Sequence, residues 1–205
     1  MDGVIVDSEP LHEQSFLEVW DELGYRENHG IHFPDFYGRS DRVVWEAFIE
    51  KHNQTAAIEE LIGLREERLI RMLRKQEPLF DGVKDLIQCL AKRYPLGLAS
   101  GSIHRVIDEV LAMQNLRSYF MDITSSEDVS VPKPSPEIFL LSAKRLGVPP
   151  EKCCVIEDTV NGIKAAKAAE MTAVAITNTF DASSLFDADA DTVCNNYSAI
   201  HSQFI

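Results

Sequence analysis

The sequence lacks the patterns of a disulfide-bonded, zinc-binding or membrane-spanning protein. It has four cysteines in 205 residues, and none of them forms a Cys-x-x-Cys pair, so neither a disulfide framework nor a zinc site is expected. No apolar run approaches the roughly 18 residues that a membrane span needs. No basic segment followed by an apolar stretch opens the chain, as it would in a signal peptide. These absences predict a cytoplasmic protein with no membrane partner.

Basic residues are also scarce. The chain has 20 Lys and Arg residues against 33 Asp and Glu residues, which gives a net charge of −13. Nucleic acid would be repelled by this charge, so no nucleic-acid partner is expected. An acidic protein can still bind a small phosphate ester where a cation, a lysine or backbone N–H groups neutralise it locally. The acidic composition, without a long apolar stripe, favours a monomer.

Two regions of the chain differ in their hydrophobic pattern. Residues 10 to 77 have apolar residues at three- and four-residue steps, which predicts successive helices without a strand. From Pro78 onward, short apolar runs alternate with amphipathic helical segments. The runs predicted as buried strands are Leu96–Ser100, Met121–Thr124, Cys153–Ile156 and Thr172–Ile176. Alternating strands and helices are typical of a parallel sheet with helices on both faces.

The predicted fold class is therefore α/β. We expect a Rossmann-like three-layer core with a parallel sheet, formed by residues 1–8 and 78–205, and an inserted all-helical cap formed by residues 9–77. The core begins abruptly, because only the short apolar run Gly3–Val6 precedes Asp7. Either this run is the first strand, or a strand upstream of Met1 is missing.

Polar residues follow the predicted strands. Ser100 ends one strand, Glu157 and Asp158 follow another, Lys133 lies in a loop after a third, and Asp2 lies in the opening segment. Taken singly, each has a structural interpretation as a turn residue, a helix start, a surface lysine or a chain end. Together they are expected at one edge of the sheet, where parallel strands end. Adjacent carboxylates are costly unless neutralised, and an oxygen-rich acidic site suits Mg²⁺.

Four segments resemble, in order, the motifs of the haloacid dehalogenase superfamily in its beta-phosphoglucomutase-like branch. They are MDGVIVDSEPLH, LASGS, VPKPSPEIF and VIEDTVNGIKAAKAAEM. The resemblance spans residues 1 to 180, with the helical cap in the expected place. It implies Mg²⁺-dependent hydrolysis of a small phosphate monoester, with a sugar phosphate as the leading candidate, through an aspartyl-phosphate intermediate. A sugar phosphomutase is the alternative enzyme.

The resemblance also implies roles for individual residues. Asp2 would be the general acid and base and would offer its backbone carbonyl to Mg²⁺. Ser100 would hydrogen-bond the transferring phosphoryl group, and Lys133 would balance the negative charge of the nucleophile and the phosphate. Asp158, together with Glu157, would hold Mg²⁺ directly or through water. These assignments agree with the dependence of phosphoryl transfer on positioning and charge neutralisation.

Substrate-binding residues are expected on both sides of the cap boundary. Gly101 would present its N–H beside Ser100. In the cap, His12 lies just after the first motif, and the loop Gly38–Arg39–Ser40–Asp41 lies where the branch usually has a substrate-specificity loop. Arg39 could pair with a distal anionic or hydroxyl-rich group. A packing role for His12 and a solvated position for Arg39 are the structural alternatives.

The family's nucleophile has no counterpart within the sequence. It is the first Asp of the motif Asp-x-Asp-Gly, and Met1 matches the middle position, so that Asp would lie one position before Met1. Three explanations compete. The chain starts late, and the 205-residue chain is inactive by itself although the complete protein is an enzyme. Alternatively, it is a non-catalytic relative that binds a phosphorylated ligand or a protein, or Asp7 has become the nucleophile.

Overall fold

The structure is a computed structural model, and it describes residues 1–36 and 40–204. It contains two compact units, one made of Met1–Asp7 with Pro78–Ile205 and the other of Ser8–Glu77. We call them the α/β unit and the helical unit. Within the described ranges, no helix has the length and apolar composition needed to cross a membrane.

The helical unit contains three α-helices, as the sequence predicts for its described residues. They are α1 (Glu9–Glu22), α2 (Asp41–His52) and α3 (Ile58–Gln76), and a 3-10 turn covers Phe33–Phe36. A proline lies in the first turn of α1, where its missing N–H has no helical partner to lose. Helix α2 begins with an acidic residue and ends with Lys51 and His52, which complements the helix dipole.

The α/β unit alternates helices and strands. Its helices are α4 (Val83–Ala91), α5 (His104–Ala112), α6 (Glu137–Leu146), α7 (Val160–Ala168), α8 (Ala182–Asp187) and α9 (Tyr197–Phe204). Its strands are β1 (Gly97–Ala99), β2 (Asp122–Thr124), β3 (Cys154–Glu157), β4 (Thr172–Ile176) and β5 (Thr192–Cys194). Short 3-10 segments cover Met113–Tyr119, Ser126–Asp128 and Pro150–Lys152. The four predicted strands are confirmed, whereas β5, α8 and α9 are additions that the sequence pattern did not predict.

All strand pairs are parallel, but the strands form two sheets and not one. Strand β1 pairs with β2, while β3, β4 and β5 form a second sheet in that order. The run Gly3–Val6 does not join them as a strand. The N–H groups of Val4, Ile5 and Val6 all point to the Met1 carbonyl, at 3.1, 2.7 and 3.3 Å. This closes the run into a turn, so the interpretation of Gly3–Val6 as the first strand is wrong.

Helices cover both faces of the second sheet. Ala173 and Ala175 of β4 pack into a cluster with residues of α6, α7 and α8. Val174 and Ile176 of the same strand pack into a second cluster, with residues of α4 and α9. Successive side chains of a strand point to opposite faces, so the alternation along β4 gives the predicted three layers, helix–sheet–helix.

Candidate active site

Asp2 is held by serines that follow β1. Its Oδ2 accepts a hydrogen bond from Ser102 Oγ at 2.8 Å, and Ser100 Oγ lies 3.5 Å from the same oxygen. The Ser102 N–H in turn donates to Ser100 Oγ at 3.1 Å, and Ser100 is buried. Asp2 and Ser100 are thus brought together as their sequence positions predict. Ser102 was not predicted, although it lies in the same LASGS segment.

Lys133, which is half-buried, and Glu157, which is buried, form an ion pair. Lys133 Nζ donates to Glu157 Oε1 at 2.5 Å, and the ammonium lies 4.8 Å from the centre of the Phe139 ring. Burial is the largest single influence and would raise the pKa of Glu157. The charge and hydrogen bond of Lys133, together with the N-terminal charge and the Thr159 N–H, outweigh burial and hold this pKa below its usual range. Glu157 therefore stays ionised at neutral pH, and its carboxylate holds Lys133 where β3 ends.

The second oxygen of Glu157 organises the start of α7. Glu157 Oε2 accepts from the N–H groups of Asp158 and Thr159 and from Thr159 Oγ1, each at 2.9 Å. Thr159 Oγ1 also accepts from the Gly162 N–H, so it caps the helix. A Cβ on Gly162 would lie 2.0 Å from Glu157 Cδ. Glycine is therefore required there for the carboxylate to approach the helix.

Asp158 is more buried than Glu157, the other carboxylate that follows β3. Its side chain is 3% exposed and accepts a hydrogen bond from Thr179 Oγ1 at 2.5 Å. Among residues 1–36 and 40–204 it forms no ion pair with a lysine, arginine or histidine side chain. Burial, and next the negative charge of Glu157, raise the pKa of Asp158 above its usual range. A nearby cation would reverse this shift.

Gly3 joins the Asp2 segment to Asp158. Its φ is +66°, and a Cβ at this position would lie 1.9 Å from Asp158 Oδ2. Both the left-handed backbone and the close approach require glycine here. The contact also brings the serine-bound Asp2 and the Glu157–Asp158 pair to one edge of the α/β unit.

The donor set of this edge fits Mg²⁺. It consists of carboxylate and backbone oxygens with an excess of negative charge, which hard divalent cations prefer. In the described part of the chain, no group of three or more His, Cys, Asp or Glu side chains forms a complete cage for a metal ion. Mg²⁺ does not require such a cage, because it keeps waters and takes phosphate oxygens of its substrate.

The predicted substrate-binding residues fall into three groups. Gly101, in the α/β unit, is exposed, and a Cβ added there would meet open space. Gly38 and Arg39 lie outside the described residues. His12 and Ser40 lie in the helical unit, where Ser40 immediately precedes α2 without capping it through its side chain.

Arg65 is a further polar residue of the helical unit that was not predicted from the sequence. It is 2% exposed, and it donates hydrogen bonds to His12 Nδ1 and Asp41 Oδ2. Its guanidinium lies 4.8 Å from the centre of the Phe16 ring. His12 is therefore hydrogen-bonded to a buried arginine, and both His12 and Asp41 are themselves only partly buried. Arg65 follows His12 by 53 residues, a separation that no local pattern reveals.

Comparisons with known proteins identify the family. The family model for haloacid dehalogenase-like hydrolases matches residues 1–170. Hexitol phosphatase B of Escherichia coli K12 is 34% identical over 178 residues, which cover 86% of this chain and 80% of that protein. Fructose-1-phosphate phosphatase YqaB of the same organism is 33% identical over 179 residues, covering 85% of this chain and 92% of that protein.

A solved structure supports the same assignment. A crystal structure from Thermotoga maritima, provisionally named a beta-phosphoglucomutase, superimposes with a TM-score of 0.78 at 28% identity. The alignment covers 100% of this chain and 97% of that one. With the motifs in order and the fold in agreement, the chain belongs to the haloacid dehalogenase-like hydrolases, in their beta-phosphoglucomutase-like branch.

Proposed function

We propose that this domain hydrolyses a small sugar phosphate in a Mg²⁺-dependent reaction, as a cytoplasmic monomer. One observation carries the proposal: the serine-bound Asp2, the Lys133–Glu157 ion pair and the buried Asp158 meet at one edge of the α/β unit. The relatives named above as hexitol and fructose-1-phosphate phosphatases support the choice of a sugar phosphate.

Each group would have a defined task. Ser100 and the Gly101 N–H would bind the oxygens of the phosphoryl group, and Lys133 would neutralise part of their charge. Asp158 and the Asp2 carbonyl would hold Mg²⁺, with Glu157 acting directly or through water. When bound, Mg²⁺ would neutralise charge on the phosphoryl oxygens.

Proton transfer would fall to Asp2. As an aspartate carboxylate attacks phosphorus, the bond from phosphorus to the sugar oxygen breaks, and Asp2 would give its proton to that oxygen. A water molecule would then attack the phosphorus of the aspartyl phosphate, and Asp2 would take the proton that the water loses. The bond from phosphorus to the aspartate oxygen would break, which frees the aspartate and releases inorganic phosphate. Ser102 would hold the Asp2 carboxylate for both transfers, because it donates to one of its oxygens.

The attacking aspartate would occupy the position before Met1. We therefore expect the 205-residue chain by itself to release little phosphate, and the covalent intermediate to form only when the preceding segment is present. The test compares this chain with one extended upstream along its natural reading frame, using a panel of sugar phosphates with Mg²⁺. Phosphate release by the extended chain only is the expected result.

Two variants sharpen this comparison. Asp2→Asn in the extended chain should lower kcat by a factor of about 100 or more, because the proton transfers lose their group. Phosphate release by the 205-residue chain that disappears in Asp7→Asn would instead identify Asp7 as the nucleophile. Inactivity of both chains, combined with retained binding of a sugar phosphate, would favour a non-catalytic ligand-binding relative.

A phosphomutase is the second candidate. It is favoured by the likeness to the Thermotoga maritima structure, which covers the whole chain. A mutase must keep its sugar bisphosphate intermediate bound while that intermediate reorients in the site. A phosphatase instead lets water reach the aspartyl phosphate and hydrolyse it. The products distinguish them, since an isomerised sugar phosphate without free phosphate would identify the mutase.

A further inference from the structure

The loop that follows β4 reaches the Asp158 carboxylate. Glu157 of β3 pairs with Ala175 of β4, so the residues just beyond the two strand ends are neighbours. Thr179 Oγ1 donates to Asp158 Oδ2 at 2.5 Å, across 21 residues of sequence. This loop lies at the very end of the four-motif resemblance and carries no predicted site residue. Its threonine nevertheless contacts the most buried carboxylate of the site.

Asn178, the residue before Thr179, holds the Gly3 backbone, which lies against the Asp158 carboxylate. Asn178 Nδ2 donates to the Gly3 carbonyl at 2.7 Å. The Gly3 backbone in turn lies against Asp158, since a Cβ there would be 1.9 Å from Asp158 Oδ2 and 2.9 Å from Thr179 Oγ1. Asn178 and Thr179 therefore hold the two surfaces that meet at this point, the Gly3 peptide and the Asp158 carboxylate.

Helix α9 supports the loop. Tyr197 OH donates to the Val4 carbonyl at 2.8 Å and accepts from Asn178 Nδ2 at 3.0 Å. The asparagine amide is thus held between the Gly3 carbonyl and a tyrosine, which restricts its rotation. A contact network of this kind connects the C-terminal helix to the segment that carries Asp2.

We propose that Thr179 is the positioning residue for Asp158 as a Mg²⁺ ligand, with Asn178 holding the Gly3 peptide against the same carboxylate. This inference rests on the proposed function, because the metal role of Asp158 is part of it. The hydrogen bond to Oδ2 fixes the rotation of the carboxylate, so its lone pairs are presented in one orientation. Hydrogen-bond partners of metal ligands commonly change metal affinity by roughly 10- to 100-fold when removed.

The experiment is a calorimetric titration of the 205-residue chain with MgCl₂. Thr179→Val keeps the size and branching of the side chain but removes the donor, and we expect it to weaken Mg²⁺ binding about tenfold. Thr179→Ser keeps the hydroxyl and should bind within about twofold of the unchanged chain. Asp158→Asn should abolish binding, which locates the metal independently of Thr179.

The outcomes separate this inference from the proposed function. If the unchanged chain binds no Mg²⁺, or Asp158→Asn binds it normally, the metal assignment fails and the inference fails with it. If Asp158→Asn loses binding but Thr179→Val does not, only the positioning role is refuted. Equal losses in Thr179→Val and Thr179→Ser would also refute it, because the hydroxyl would not be the determinant. Thermal unfolding without metal checks that each variant is folded, and Thr179→Ala replaces Thr179→Val if the latter is not.

Discussion

The helical unit and the α/β unit fill their interiors with different kinds of side chain. In the helical unit, Trp20, Trp45 and Phe48 are completely buried, and the Phe16 ring centre lies 5.4 and 5.1 Å from the ring centres of the two tryptophans. In the α/β unit, the core cluster that joins β4 to α6, α7 and α8 is rich in small residues. Its buried alanines are Ala143, Ala165, Ala166, Ala169, Ala173, Ala175, Ala188 and Ala190.

The two units also differ in how their buried polar atoms are hydrogen-bonded. Among the described residues, the buried side-chain nitrogens without a hydrogen-bond partner are Trp20 Nε1, Trp45 Nε1 and Arg65 Nε, all in the helical unit. In the α/β unit, buried groups such as Glu157 and Asp158 accept hydrogen bonds from neighbouring residues. Close packing at glycines accompanies these bonds, since an added Cβ would lie 1.9 Å from Asp158 Oδ2 at Gly3 and 2.0 Å from Glu157 Cδ at Gly162. The α/β unit should therefore be sensitive to added volume, and the helical unit to lost volume.

The largest expected effect is the loss of volume in the helical unit. Trp45→Ala should lower the free energy of unfolding by about 3–5 kcal/mol, because it leaves a cavity among aromatic rings. Glu46→Ala, at the exposed neighbouring position, should change it by less than about 0.5 kcal/mol. Urea unfolding followed by circular dichroism measures both. Similar losses in the two variants would contradict the aromatic core as the main source of stability.

The next effect concerns the closest backbone approach in the site. Gly3→Ala should lower the free energy of unfolding by about 2–4 kcal/mol, because it combines left-handed backbone strain with a clash against Asp158. Gly82→Ala is the matched control, since Gly82 has φ +80° but no atom within 4 Å of the position that an added methyl group would occupy. It should cost only about 1 kcal/mol. Equal costs for both variants would mean that Asp158 moves away freely.

A smaller effect is expected from added volume in the α/β unit. Ala165 and Ala168 both lie on α7, and only Ala165 is buried. Ala165→Leu should lower the free energy of unfolding by about 1–3 kcal/mol through overpacking, whereas Ala168→Leu should leave it nearly unchanged. Thermal unfolding of the two variants measures the difference. A stable Ala165→Leu variant would show that the small-residue core adapts more easily than we infer.

The smallest effect is a dependence of stability on pH that arises from a histidine in the helical unit. Burial lowers the pKa of His29 below its ordinary value of 6.5, so the folded chain binds this proton less readily than the unfolded chain. Stability should therefore be complete above about pH 7 and decrease as the pH falls below about 6.5. The His29 ring is stacked on Trp20 at 4.5 Å, so tryptophan fluorescence can follow unfolding at each pH. In His29→Gln, the part of the decrease in stability with falling pH that His29 causes should disappear. An unchanged dependence of stability on pH would exclude His29 as its source.

Local signals in the sequence were sufficient for most helices and strands. Helix α6 begins at Glu137, after the Ser135–Pro136 start signal, and ends before Gly147, whose φ is +70°. Both features act within one or two turns of the chain. Lys133 and Glu157 could be anticipated as neighbours because each follows a predicted strand, and parallel strands end at a common edge.

The sequence by itself thus determined the α/β class, the order of the motifs and the residue types that gather at the strand ends, because periodicity, helix caps and strand ends are local. Only the tertiary structure decided that Gly3–Val6 is a turn, that β5 and α9 complete the second sheet and its cover, and that Ser102 and Thr179 hold the carboxylates. These features depend on contacts between residues that are far apart in the chain, such as the 175 residues between Gly3 and Asn178. Such contacts leave no pattern in a single sequence, since a threonine or an asparagine after a strand is equally compatible with an ordinary exposed turn.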